Sequence, residues 1–248
     1  MNHWIYNWKK NLLVVVNILL AVYLFFAITS FNQPVDGNEL VCSQVKIDIK
    51  DAVVDGFLNA NEIKSILQKA KLYPLAQPMD KIDARKIEDV LKSSPFVNDA
   101  QCYKTQMGHV CIQLTQRTPV MRVKAENGDD YYVDNHGGVM PNSKYCSEIM
   151  IATGKVSRQY ACKVLTKLGN TIVKDKFWRN QIVQVNVLAD GTVELVPRVG
   201  EHIIYIGYPN RLTEKLARLE KFYRYGLSEA GWNKYSYINL AFENQIIC

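Results

Sequence analysis

The chain has 248 residues, 48% hydrophobic and 22% charged, and its 30 basic and 24 acidic residues leave a formal net charge of +6. That composition excludes a disordered tail, and a mean hydropathy of −0.13 excludes a polytopic membrane protein while leaving room for one span. So small a basic excess points to no nucleic-acid partner, and the length accommodates one or two domains.

Leu12 to Ile28 is a nearly unbroken apolar run, with Asn17 and Tyr23 its only polar-tipped members. At about 1.5 Å per residue it reaches roughly 25 Å, near the hydrocarbon thickness of a bilayer. Residues 11–30 are therefore predicted as a transmembrane helix. Lys9 and Lys10 precede the run, Trp4, Tyr6 and Trp8 sit at interfacial positions, and the first charges after it are Asp36 and Glu39. The positive-inside bias puts residues 1–10 in the cytoplasm and everything beyond about Phe31 outside. A cleaved signal peptide is disfavoured, because the run exceeds the usual apolar region and Ala27-Ile28-Thr29 is a poor cleavage site. Cys42, Cys102, Cys111, Cys146, Cys162 and Cys248 then all fall on the exported side, where disulfides form. None makes a Cys-x-x-Cys pair and no His has zinc-finger spacing, so no metal site and no cofactor is expected.

Residues 31–43, with Asn32, Pro34, Gly37 and Asn38, read as a polar linker. Val45, Ile47 and Ile49 alternate with Lys46, Asp48 and Lys50 as a strand. Asn59 or Asn61 caps a helix carrying Ile63, Ile66 and Leu67. Asp83 caps a second, with Ile87, Val90 and Leu91 as its stripe and Pro95 as its stop. Two strands follow, about Val97 to Lys104 and His109 to Arg117, joined across Thr105-Gln106-Met107-Gly108. With those four residues as the loop, Cys102 faces Cys111. A strained cross-strand disulfide and two small apolar residues side by side are both open there. The order strand–helix–helix–strand–strand makes residues 44–118 a small α+β domain with both helices on one sheet face.

Residues 119–248 read as a mostly antiparallel β domain with two helices. Val120 to Ala125 runs into Glu126-Asn127-Gly128-Asp129, and Tyr131 to Asp134 into Asn135-His136-Gly137-Gly138. Val183, Val185 and Val187 reach Asp190-Gly191, a strong hairpin signal, before Val193 to Val196. His202 to Ile206 is another strand. One helix covers about Gln159 to Leu168. The other covers Leu212 to Tyr225, with Glu214–Arg218 and Glu220–Arg224 pairs and Gly226 as its end. The last strand is about Tyr237 to Phe242.

Several segments in this order resemble the FtsQ/DivIB family of bacterial cell-division proteins. They are Val45-Lys46-Ile47-Asp48-Ile49, Ser94-Pro95-Phe96-Val97, Gln116-Arg117-Thr118-Pro119-Val120, Tyr132-Val133-Asp134-Asn135-His136-Gly137-Gly138-Val139, Ile206-Gly207 and Tyr237-Ile238-Asn239-Leu240, all following a single anchor. The small domain is similar to a POTRA domain. The chain departs from the family at Gln116, where Glu is frequent, and at Asn239-Leu240-Ala241 in the last strand. The resemblance implies a non-enzymatic single-pass scaffold of the plasma membrane at the division septum. It would bind FtsB/FtsL-type coiled-coil partners and regulate septal peptidoglycan synthesis. A POTRA-bearing export or assembly factor is the alternative, and a membrane-anchored cell-wall enzyme a more distant one.

The residues themselves carry no catalytic constellation. His3, His109, His136 and His202 lie in unrelated segments, and Asp134-Asn135-His136-Gly137-Gly138 reads as a turn rather than a catalytic pair. The basic excess is concentrated late. Residues 151–248 hold 14 Lys and Arg against 8 Asp and Glu, whereas residues 31–150 hold 14 against 16. An acidic partner would suit that half, but a solvated face, with Lys163, Lys167, Lys215 and Lys221 on helices, is the plainer reading. The terminal strand has no segment after it to cover its outer edge. It is either an interior strand closing the sheet or an edge offering unpaired backbone groups to a partner strand. The resemblance favours the partner edge, with Tyr235, Tyr237, Phe242, Asn244 and Gln245 as its surface.

Overall fold

The computed structural model describes residues 2–31, 40–50, 58–143 and 149–248. Asn32, Pro34, Asp36, Gly37, Asn38 and Glu39 of the expected linker, and Cys146, lie outside the described residues. Helix α1 (Asn2–Phe31) contains Lys10–Thr29, whose mean hydropathy is 2.7 and no part of which is buried against the remaining chain. Among the described residues it is the one helix long and apolar enough to cross a membrane.

The small domain follows its local signals closely. It comprises β1 (Gln44–Lys50), α2 (Ala60–Lys69), α3 (Ala84–Lys92), β2 (Val97–Lys104) and β3 (His109–Gln116). Asn59 starts α2 through a capping box. Its Oδ1 accepts from the Glu62 amide at 2.9 Å, and its own amide donates to Glu62 Oε2 at 3.2 Å. Asp83 Oδ1 caps α3 by accepting from the Lys86 amide. The strand order is β1-β3-β2, with β1 parallel and β2 antiparallel to β3. Ile63 and Leu67 of α2, Ile87 and Leu91 of α3, and Val110, Ile112 and Leu114 of β3 meet in one core and are all essentially inaccessible. Each contributes about 1.5–3 kcal/mol by leaving water.

The pairing of Cys102 with Cys111 is not the observed register. Cys102 lies opposite Ile112, and Cys111 opposite Tyr103. Adjacent strand residues point to opposite faces, so Cys102 is buried among the core residues while Cys111 belongs to the helix-free face. The cause is the turn. Thr105 N donates to His109 O at 2.9 Å and Gly108 N to Thr105 O at 3.2 Å, leaving a three-residue loop with Gly108 at φ +75°. The same construction closes three other hairpins, at Gly128, Gly137 and Gly191, with φ of +88°, +85° and +82°. The third loop position of such a turn is left-handed, which glycine adopts at no steric cost.

Among the described residues the larger sheet has eight strands: β4 (Pro119–Ala125), β5 (Asp130–Asp134), β6 (Val139–Pro141), β7 (Ile151–Gly154), β8 (Ile182–Val187), β9 (Val193–Pro197), β10 (Ile203–Gly207) and β11 (Tyr237–Asn239). Their order is β11-β10-β9-β8-β7-β4-β5-β6. Four of the seven pairings are antiparallel, but β4, β7 and β8 run parallel at the centre and β11 is parallel to β10. Among the described residues, three helices cover one face. Helix α4 (residues 158–174) consists of Arg158–Tyr160, a π turn Ala161–Leu165 and Thr166–Lys174; α5 is Lys176–Gln181. Helix α6 (residues 212–230) consists of Leu212–Phe222, a π turn Tyr223–Leu227 and Ser228–Ala230. Gly226 therefore does not end α6; the chain leaves the helix at Gly231, at φ +96°. Leu165, Leu168, Ile172, Trp178, Leu216, Leu219 and Tyr223 from these helices share a core with Val185, Val187, Val193, Leu195, Ile204 and Ile206 of the sheet.

The two domains meet at the β5–β6 end. Phe96 packs against buried Tyr132 and Met140, and Arg117 bridges the junction. Its Nε and Nη2 donate to Asp134 Oδ2 at 2.7 and 2.6 Å, and its Nη1 donates to the carbonyls of Pro95 and Val139 at 3.0 and 3.3 Å. A Cβ on Gly138 would lie 1.8 Å from Arg117 Nη2, so the second glycine of the Gly137-Gly138 pair makes room for the guanidinium.

Candidate functional site

Unpaired sheet edges are candidate docking surfaces, and the outer edge of β2 is partly closed by Glu88 of α3, whose Oε1 accepts from the Cys102 amide at 2.7 Å. At the far end of the large sheet the three-residue strand β11 has β10 on its inner side and is the last named strand of the order. Ile203 N donates to Ser236 O at 3.0 Å and Leu240 N to Tyr205 O at 2.8 Å, which seats β11 on β10. Ile238 and Leu240 point into the core, and Tyr237 points to the helix-free face, where its ring stacks on Tyr205 at 6.0 Å. Partial burial raises the Tyr237 hydroxyl pKa, with Glu194 and Tyr205 adding to the effect. Tyr237 stays protonated at neutral pH.

Charged side chains of α6 fix the segment beyond the strand. Arg218 Nη1 donates to Phe242 O at 2.9 Å and Nη2 to Leu240 O at 3.2 Å. Spacing along the helix pairs Glu214 with Arg218, but Glu214 bonds instead to Arg211 at 2.6 Å. Arg211, which precedes α6 at φ +47°, also pairs with Glu243. Lys215 is not on a solvated face. It is 7% exposed, and its Nζ donates to Ile206 O and Tyr208 O at 2.8 Å and to Asn210 Oδ1 at 3.0 Å. Burial lowers its pKa, and Arg218 and Arg211 lower it further. These groups and the C-terminal segment enclose a pocket of about 170 Å³, lined by Arg211, Arg218, Phe242 and Asn244 among others.

The five predicted surface residues divide accordingly. Phe242 and Asn244 come together at this pocket, and Gln245 beside them is exposed. Tyr237 lies on the edge strand itself. Tyr235 is turned toward the domain, half-buried against Phe222 with ring centroids 6.0 Å apart. The edge is also not bare, contrary to the expectation from sequence. Ile247 returns alongside Asn239 and forms an antiparallel bridge with it. Helical spacing does not reveal the contacts of Arg218 and Lys215, because their partners are oxygens of segments outside the helix. Asp134 and His136 form no catalytic pair. Asp134 Oδ1 accepts from the amides of His136 and Gly138 at 2.9 and 2.6 Å, while Oδ2 is taken by Arg117.

Two family models match the chain. The model described as FtsQ/DivIB, C-terminal related covers residues 118–248, and that described as a POTRA-like domain covers residues 40–115. No curated protein matches it.

Proposed function

The chain belongs to the FtsQ/DivIB family of bacterial cell-division proteins, and from that premise we propose that it is a non-enzymatic scaffold of the division machinery, held by Leu12 to Ile28 in the plasma membrane with its two domains outside the cytoplasm. Membership assigns it a role in cell division; the scaffold role is our reading. The observation that carries it is the β11 edge, a strand paired with β10 on its inner side and met on its outer side by a single backbone pair at Ile247, with Tyr237 on the strand and Phe242 and Asn244 beside it. Such an edge suits an extended segment of an FtsB/FtsL-type coiled-coil partner. Main-chain bonds would supply affinity, and the flanking side chains selectivity. Through that partner the scaffold would regulate septal peptidoglycan synthesis. The POTRA-like domain, fixed to the opposite end of the sheet, would serve recruitment to the septum.

The test is localisation of a fluorescent fusion tagged at the cytoplasmic end, with the partner's capture measured in parallel. A mid-cell band that needs the exported domains, together with partner capture lost in Tyr237→Asp, is the expected result. A uniform membrane signal through the cell cycle would refute the assignment.

A further inference from the structure

After Asn239 the chain turns through Leu240 to Gln245 and comes back so that Ile247 lies antiparallel beside the strand it has just left. The two residues exchange both backbone bonds, Asn239 N to Ile247 O at 2.7 Å and Ile247 N to Asn239 O at 3.1 Å. That is the hydrogen-bonded pair of an antiparallel ladder, the same bonding a partner strand would make. The turn is held firmly on its near side by Arg218 on Leu240 O and Phe242 O, by Arg211 with Glu243, and by Asn239 Oδ1 accepting from the Ala241 amide at 2.8 Å. Its far side is held loosely. Ile246 is half-buried against the core, Ile247 is 46% exposed, and Gln245 and Cys248 are exposed.

We infer that the outer edge of β11 is a strand-exchange site whose resident occupant is the chain's own tail, so that a partner segment binds by displacing Ile247. This rests on the partner-strand reading above and sharpens it. The tail defines the incoming chemistry: an extended segment antiparallel to β11, with a branched aliphatic residue where Ile246 packs and free backbone groups where Ile247 now bonds. Gln245 and Ile246 mark the exchange boundary, because everything up to Glu243 is anchored by arginines. Two net backbone bonds and one half-buried side chain make the tail a competitor of about tenfold to a hundredfold in apparent affinity, strong enough to discriminate and weak enough to displace.

The experiment compares the full chain in detergent with a variant ending at Gln245 and with Ile247→Pro, which keeps the length but removes the Ile247 donor. The probe is a labelled synthetic peptide of residues 242–248 carrying Cys248→Ser, titrated to millimolar concentration. Equal thermal unfolding of the three proteins confirms that the variants fold. The peptide is expected to bind both variants at least about tenfold more tightly than the full chain and to slow hydrogen exchange at the Asn239 amide. Equal binding to all three, binding to none, or weaker binding to the variants overturns the inference. Capture of the coiled-coil partner by the same proteins separates the two readings. Peptide exchange without any partner capture refutes the proposed function and leaves the exchange site standing. Peptide binding indifferent to the tail refutes the exchange site whatever the partner does.

Discussion

Replacing Arg117 by Ala should unfold the β domain well before wild type. The guanidinium donates to Asp134 Oδ2 through bonds of 2.7 and 2.6 Å, and the Asp134 side chain is 4% exposed. Removing one member of a buried ion pair leaves an uncompensated charge and costs about 3–5 kcal/mol. Two features reduce that figure here. Oδ1 keeps its two backbone donors, and Arg117 is itself 20% exposed, so water reaches the vacated space. About 2–4 kcal/mol is the resulting expectation. Equilibrium urea denaturation read by the change in tryptophan fluorescence separates the β domain from the small one, because residues 44–118 contain no Trp, Trp4 and Trp8 lie beside the anchor, and Trp178 and Trp232 lie in the β domain. With a slope of about 2 kcal/mol per molar urea, the midpoint should fall by roughly 1–2 M. Arg117→Lys should recover only part, since an ammonium cannot reproduce the two-pronged contact. Gly138→Ala should mimic the loss by driving a methyl group into the guanidinium. A midpoint shift below about 0.3 M at unchanged slope would refute the assignment of Arg117 as the clasp of the domain junction.

Tyr223→Phe leaves His202 Nε2 without the buried hydroxyl 2.6 Å away, and should cost about 1–3 kcal/mol in the same assay. Burial holds the His202 pKa below its ordinary value, so the unfolded chain takes up that proton first as pH falls. Stability from this residue is complete above about pH 6.5 and is lost below it, by at most about 1.4 kcal/mol per pH unit. His202→Gln should flatten the profile between pH 7 and 5.5, and an unchanged slope would count against the argument. Arg218→Ala should accelerate hydrogen exchange at the Asn239 and Ile247 amides while leaving Val110 in the small domain unchanged. Brief alkylation of the folded protein should label Cys111 well before Cys102, whose thiol burial pushes up to about 11. Labelling of neither until reductant is added would restore the cross-strand disulfide.

What the sequence made legible is what short-range physics decides. Asn59 and Asp83 announce their helices because a cap needs only its own next three residues, and the alternation in β1, β8 and β9 needs only a half-buried strand. Strand β7 escaped notice because it has four residues, and its partners β4 and β8 are reached by parallel crossovers that leave no local periodicity. Gly226 read as a helix stop, but a π turn carries α6 through it with the Phe222 ring packed close. A loop shorter by one residue moved Cys111 from the core face to the outer face, which no count of cysteines could foresee. At the site, the amphipathic edge strand is visible in the alternation of Tyr237, Ile238 and Asn239. The bridge at Ile247 was not, because a single pair of backbone bonds has no pattern.

The positions of the two attachments explain why this sheet is built as one long layer. The small domain is clasped at the β5–β6 end through Phe96 and Arg117, and the exchange edge is β11, the opposite terminus of the eight-strand order. At about 4.8 Å per strand spacing these ends lie on the order of 30 Å apart. Between them the parallel trio β4, β7 and β8 sits under α4, with Leu165, Leu168 and Ile172 inaccessible beneath it. A packed core of that kind resists bending, so a partner strand added at β11 as proposed would leave the clasp undisturbed. The loosely held backbone pair on the β11 edge, Asn239 with Ile247, is the one that the proposed partner strand would have to break.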